Sequence, residues 1–159
     1  MTGFRARQLV TAALGAMVLA CGGGAVDAAE PVGGTIDQGV QRMKIRIEIE
    51  GTSLTATLND TEAARDFASL LPLTITLEDY NATEKIANLP RKLSTTGAQA
   101  GSDSDVGDIA YYAPWGNLAV YYQDFRYSAG LVKLGRIDGG VEALRRGGNM
   151  RATIVRIEP

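Results

Sequence analysis

The sequence predicts a mainly β domain, a closed barrel or a sandwich, behind an N-terminal export signal. Three observations carry that reading. Short runs of apolar–polar alternation recur from Met43 to Glu158, turn residues separate them, and only two segments break into helical spacing. A chain of 159 residues with 45% hydrophobic content suits one domain with one core.

The first strand is the clearest. "MKIRIEIE" places Met43, Ile45, Ile47 and Ile49 on one face and Lys44, Arg46, Glu48 and Glu50 on the other. "GTS" turns the chain, and "LTATL" alternates again with Leu54, Ala56 and Leu58 inward, so the two runs form a hairpin. In "NDTEAARDFASLL" the period changes: Ala63, Phe67, Leu70 and Leu71 recur at helical spacing, Asn59, Asp60 or Thr61 caps the first turn, and Pro72 ends it.

"LTITLEDY" returns to strand pattern, and "KIANLP" is a short strand stopped by Pro90. Leu93 to Asp105 is small, polar and aperiodic, which predicts a loop longer than most. Three further strands follow in "GDIAYYA", "NLAVYY" and "GLVKLGRID", separated by "PWG" and "QDFRYSA". "GGVEALRRG" reads as a second short helix with Val141 and Leu144 inward, and "NMRATIVRIE" as the last strand. The count is about eight strands and two short helices.

The N-terminus carries an address. "MTGFRARQLVTAALGAMVLACGGG" opens with Arg5 and Arg7, runs through an apolar stretch from Leu9 to Ala20 and ends in small residues, the layout of a secretory signal. Those 12 residues fall short of the ~20 that a membrane-spanning helix needs. "VLAC", Val18 to Cys21, resembles the bacterial lipobox, in which the cysteine is acylated and becomes the new N-terminus. Cleavage after Ala28 in "VDAAE" is the rival reading. Cys21 is the only cysteine, so it has no intramolecular disulfide partner. The expected organisation is a lipoprotein-type signal over 1–20, a flexible Gly-rich tether over 21–41 and the β domain over 42–159. The protein is then exported, as a cell-envelope lipoprotein or a periplasmic or secreted protein, with Cys21 as its membrane contact.

Composition removes several function classes. The chain has no histidine, which excludes Ser/His/Asp, Cys/His and His-metal chemistry. Taking Arg5 and Arg7 from 16 basic residues leaves 14 against 18 acidic, a net charge of −4 after signal removal. No basic face for a nucleic acid follows from that. Asp103, Asp105 and Asp108 in "SDSDVGD" depart from the Ca²⁺-loop spacing and lack its distal glutamate, so no metal site and no cofactor are expected.

"GDIAYYAPWGNLAVYYQDFRYSAGLVKLGRIDGGVEAL", Gly107 to Leu144, with "LPRKLSTTGAQAG" before it, resembles the bacterial cyclophilin-like domain family. The resemblance extends over roughly 43–158, and "YYAPWGNLA" followed by "LGRIDGG" is its most specific part. It implies a closed eight-stranded antiparallel barrel with two short helices at its ends. The fold is shared with peptidyl-prolyl isomerases, but their Phe-His-Arg signature cannot exist in a chain without histidine. Their Gln-Gly-Gly-Asp-Phe segment is missing too, so no catalytic residue carries over.

Seven of the ten aromatic residues fall between Tyr111 and Tyr127. Alternation puts Ile109, Tyr111, Leu118, Val120 and Tyr122 in the core, and Tyr112, Trp115 and Tyr121 toward a surface or groove. Hairpin packing accounts for several of these rings. A Trp on a turn before Gly is harder to assign to a core. Asp124 and Arg126 flank the same strands, and Arg91 supplies a cation near the long loop. The sequence thus predicts non-catalytic binding of a peptide or small ligand in a groove near Arg91, Tyr112, Trp115, Tyr122, Asp124 and Arg126. The alternative is a weak peptidyl-prolyl isomerase using Arg91 or Arg126.

Overall fold

The computed structural model of the chain describes residues 42–158. The predicted signal, Cys21 and the tether lie outside the described residues. Strand β1 (Lys44–Ile49) buries Ile45, Ile47 and Ile49 and exposes the residues between them, as its alternation dictates. It pairs with β2 (Thr52–Leu58), where Ile47 lies opposite Leu54 and Ile45 opposite Ala56. Helix α1 (Glu62–Ala68) starts at Thr61, whose side chain accepts a hydrogen bond from the Ala64 N–H at 3.2 Å.

Beyond it come β3 (Leu73–Tyr80), β4 (Glu84–Asn88), β5 (Gly101–Ser104), β6 (Asp108–Tyr112), β7 (Asn117–Tyr121), β8 (Phe125–Ala129), β9 (Leu131–Ile137) and β10 (Met150–Ile157). Eight of these strands close a barrel in the order β1, β10, β3, β4, β7, β6, β9, β2. Every pairing within it is antiparallel. Closure leaves the barrel no open edge to pair with another chain. Its interior is one apolar cluster that includes Ile45, Leu58, Tyr111, Leu118, Leu134 and Ile154.

The two ends are closed by different devices. Helix α1 inserts Phe67, fully buried, and Arg156 near the end of β10 donates to the Ala68 carbonyl at 3.2 Å. Burying such a side chain stabilises by about 1.5–3 kcal/mol. At the opposite end a five-residue 3₁₀ segment, Val141–Arg145, inserts Leu144, and Arg146 pairs with Glu50 beyond β1. The second helix expected from the sequence is therefore a 3₁₀ turn. Gly140 before it is in the left-handed region at φ 82° and no side chain caps its first turn, so nothing supports a longer helix.

The remaining two strands, β5 and β8, pair with each other as a separate two-stranded ribbon. They come from the segment that reads as a long loop and from the connector "QDFRYSA". Neither shows a buried alternating face, because β8 exposes Phe125, Arg126 and Tyr127 in succession. The ribbon depends on a glycine: a Cβ on Gly101 would sit 2.3 Å from the Ser128 carbonyl oxygen. Ser102 joins the ribbon to the barrel by donating to the Leu131 carbonyl at 3.3 Å. A second small apolar cluster forms from Ala110, Ala119, Tyr121 and Leu131, with Ile86 and Tyr112 packed against it. These residues alternate with the inward set, so they occupy the outer face of the barrel wall.

Candidate ligand-binding site

The outer face of β3, β4 and β7 carries a transverse row of polar and aromatic side chains. Register places Tyr80 opposite Glu84, and Glu84 opposite Tyr121. One step along, on the inner face, Asp79, Lys85 and Val120 are aligned in the same way. Further along β7 the outer face continues through Ala119 to Asn117, which pairs with Tyr112 of β6. The small Ala119 leaves space between larger neighbours. A cavity of about 200 Å³ occupies it, lined by Tyr80, Glu84, Tyr112, Trp115, Asn117 and Tyr121.

Trp115 reaches this cavity from the β6–β7 turn. The turn is closed by hydrogen bonds from the Trp115 and Gly116 N–H groups to the Tyr112 carbonyl, at 3.2 and 2.8 Å. The indole meets Tyr112 edge-on at 5.4 Å between centroids and Tyr80 edge-on at 5.5 Å. It thus bridges two tyrosines on different strands and lies across the cavity, yet remains 57% exposed. Phe125 of β8 stacks on Tyr121 at 6.5 Å and supplies a further wall.

The polar atoms of the cavity are poorly served. Among the described residues, Glu84 Oε2 and Asn117 Oδ1 are buried acceptors with no hydrogen-bond partner. Asn117 as a whole is 3% exposed. Burial holds the Glu84 carboxyl above the usual carboxylate range, with the Tyr121 hydroxyl acting in the opposite sense. Burial, then Glu84, pushes the Tyr121 hydroxyl up. Glu84 is the one charged side chain that lines the cavity.

The residues expected from the sequence divide between this site and other places. Tyr112 and Trp115 line the cavity. Tyr122 lies on the opposite face: it is buried in the barrel interior and its hydroxyl donates to Asp79 at 2.7 Å. Its neighbour Tyr121 occupies the outer position, as alternation requires. Arg91, in the segment after β4, is held away from the cavity against α1, donating to both carboxylate oxygens of Asp66 at 2.9 and 2.5 Å. Asp124 accepts from the Val106 N–H at 2.8 Å, and Arg126 lies over the Phe125 ring at 5.9 Å. Both line a separate shallow depression along the ribbon.

Asp103, Asp105 and Asp108 have basic neighbours within the protein. Lys133 lies 3.8, 3.9 and 2.8 Å from them, and Arg136 lies 3.2 Å from Asp108. Tyr80, Glu84, Asn117 and Phe125 also line the cavity and were not expected there; Tyr121, expected toward a surface or groove but not among the binding residues, joins them. Alternation in "NLAVYY" already turns Tyr121 outward. Glu84 and Tyr80 come from strands some 30–40 residues upstream in the chain, and only barrel register brings them here.

A family model for the cyclophilin-like family matches residues 47–155, from β1 into β10. No curated protein matches the sequence. Among solved structures, a hypothetical protein from Archaeoglobus fulgidus, known from its solution structure, is similar. Its TM-score is 0.56 at 19% identity, over 73% of this chain and 95% of that one. That likeness concerns the fold alone. With the matched span covering nearly all of the closed barrel, the chain belongs to the cyclophilin-like family.

Proposed function

We propose that this cyclophilin-like domain is a non-catalytic binding module that takes a small ligand, or one side chain of a peptide, in the cavity beside Trp115. The observation that carries the reading is the half-exposed indole held across a formed cavity with unmet polar groups. Sites of this kind, apolar-walled with a few convergent polar atoms, are where small molecules bind. Export and acylation of Cys21 belong to the same proposal and rest on the signal layout and "VLAC". The prolyl-isomerase alternative is not favoured, since no arginine lines the cavity and Arg91 is engaged by Asp66.

Trp115 is the only tryptophan, so its emission reports on the cavity directly. Screening small ligands and short peptides against the full chain should find some that shift Trp115 emission saturably and lose affinity in Trp115→Ala when followed by calorimetry. A screen in which nothing perturbs Trp115 sinks the binding reading. Mass spectrometry of the mature protein should find an acylated Cys21 at its N-terminus, and a start at Ala29 would refute the anchor.

A further inference from the structure

We propose that the cavity beside Trp115 selects a primary alkylammonium group, seated against the Glu84 carboxylate beneath the indole. The inference rests on the binding reading above and names the chemistry of its guest. Of the three unpartnered buried side-chain atoms among the described residues, the two that belong to cavity-lining residues, Glu84 Oε2 and Asn117 Oδ1, are acceptors, so the guest they call for is a donor; the third, Ser104 Oγ, belongs to the separate depression. An ammonium with N–H groups answers that need, whereas a quaternary one offers no hydrogen to donate.

The charge pattern agrees. Glu84 is the only ionisable acid or base among the lining residues apart from tyrosines, and no basic side chain is among them. Lys85, next to it in sequence, faces the interior and binds Asp79 at 2.8 Å. Arg126 lines the separate depression. Tyr80, Tyr112, Trp115 and Tyr121 are among the lining residues, and aromatic rings attract cations; Phe125 already carries Arg126 over its ring at 5.9 Å. Burial raises the Glu84 carboxyl, against the effect of the Tyr121 hydroxyl, and an arriving ammonium offsets that cost by placing a positive charge beside it.

Size and spacing limit the rest of the guest. At about 200 Å³ the space is smaller than the ~300–1,000 Å³ of sites for drug-sized molecules, so it holds a short chain. Glu84 stands level with Tyr121, four residues from Asn117 along β7, or roughly 13 Å between backbones. The two acceptors therefore come from positions well separated along the wall, with Ala119 between Tyr121 and Asn117 on β7. A short alkyl chain with an ammonium at one end and a donor at the other fits both.

The test titrates the full chain with n-butylammonium chloride, n-butanol and 4-amino-1-butanol at constant ionic strength, followed by Trp115 emission and by the amide NMR shifts of Ala119 and Ser128. Butylammonium should bind about tenfold more tightly than butanol, with 4-amino-1-butanol tighter still. In Glu84→Gln the amine should lose that advantage over butanol, while the far-UV circular dichroism and thermal melt of the variant show that it is folded. A lysine side chain, offered as N-acetyl-lysine methylamide, binds more tightly than butylammonium if the group arrives on a peptide, and more weakly if it arrives as a free amine. Equal binding of butanol and butylammonium, or an amine preference that survives in Glu84→Gln, overturns the ammonium inference and leaves the binding reading standing. If no probe and no peptide perturbs the cavity, both fall.

Discussion

Glu84 and Lys85 are neighbours on β4 that face opposite sides of the barrel wall, and the inner one is paired while the outer one is not. Lys85 is fully buried, with Asp79 at 2.8 Å and the carbonyls of Arg146 and Gly148 at 2.7 and 3.2 Å. Glu84 has a buried oxygen without a partner. Strand pleating alone separates them. Interior charges survive when they are paired and hydrogen-bonded, and this lysine meets both conditions.

Lys85→Met should therefore destabilise the fold by about 3 kcal/mol, because it leaves two carbonyls without their donor and Asp79 without its countercharge. Asp79 is held below the usual carboxylate range by Lys85 first and the Tyr122 hydroxyl second. Urea denaturation at pH 7 measures the loss. A loss under about 1 kcal/mol would show that the network is dispensable.

Glu84→Gln should act in the opposite direction. The folded-state pKa of Glu84 is raised by burial above the unfolded value of 4.5. The protonated form is thus favoured by folding at low pH, and a penalty grows as pH rises through the folded pKa. Removing the charge should stabilise the ligand-free protein at pH 7 by on the order of 1 kcal/mol, with no gain below about pH 4. Thermal melts of both proteins across that range decide it. A variant less stable than the parent at pH 7 would mean that Glu84 is already compensated.

The wall also shows where a sequence stops being readable. In β6 and β7, alternation alone sorts Ile109, Tyr111, Leu118 and Val120 inward and Tyr112 and Tyr121 outward, as the two apolar clusters confirm. In β4 the pattern misleads, because Ile86 packs outward against the cluster of Ala110, Ala119, Tyr121 and Leu131 while Lys85 goes inside. Both faces of that wall are covered, so hydrophobicity no longer marks the interior. The ribbon that covers the outer face is itself illegible, being short, polar and paired over a distance of some 25 residues. Trp115 stood out from its turn, but Glu84 and Asn117 gain their meaning only when register brings them to one cavity.

Asp66 and Arg91 tie α1 to the segment after β4. Arg91 first, then the Ser94 N–H, hold the Asp66 carboxyl at about 2, down from 3.8. A depressed folded pKa means stability present above about 3.8 and lost as pH falls toward 2. Asp66 is 22% exposed and Arg91 46%, so solvent screening limits the pair to about 1 kcal/mol. Asp66→Asn should lose that much at pH 7, and the gap to the parent should close between about pH 4 and pH 2. A gap that stays constant on acidification would remove the ion pair as its cause.

Gly130 braces the turn that carries Trp115. Its carbonyl accepts from the Ala113 N–H at 2.9 Å, and its φ of +79° suits glycine. A Cβ there would fall 2.8 Å from Pro114 Cδ, the residue next to the tryptophan. Gly130→Ala must therefore strain β8–β9 or push the turn away, at a cost of about 1–3 kcal/mol. Because Pro114 and Trp115 move together, the indole should tilt off Tyr80 and Tyr112, and its emission should shift to the red as water gains access. A variant that melts lower with unchanged emission would place the strain in the β8–β9 turn alone. One that matches the parent in both would show that the cavity roof does not depend on this contact.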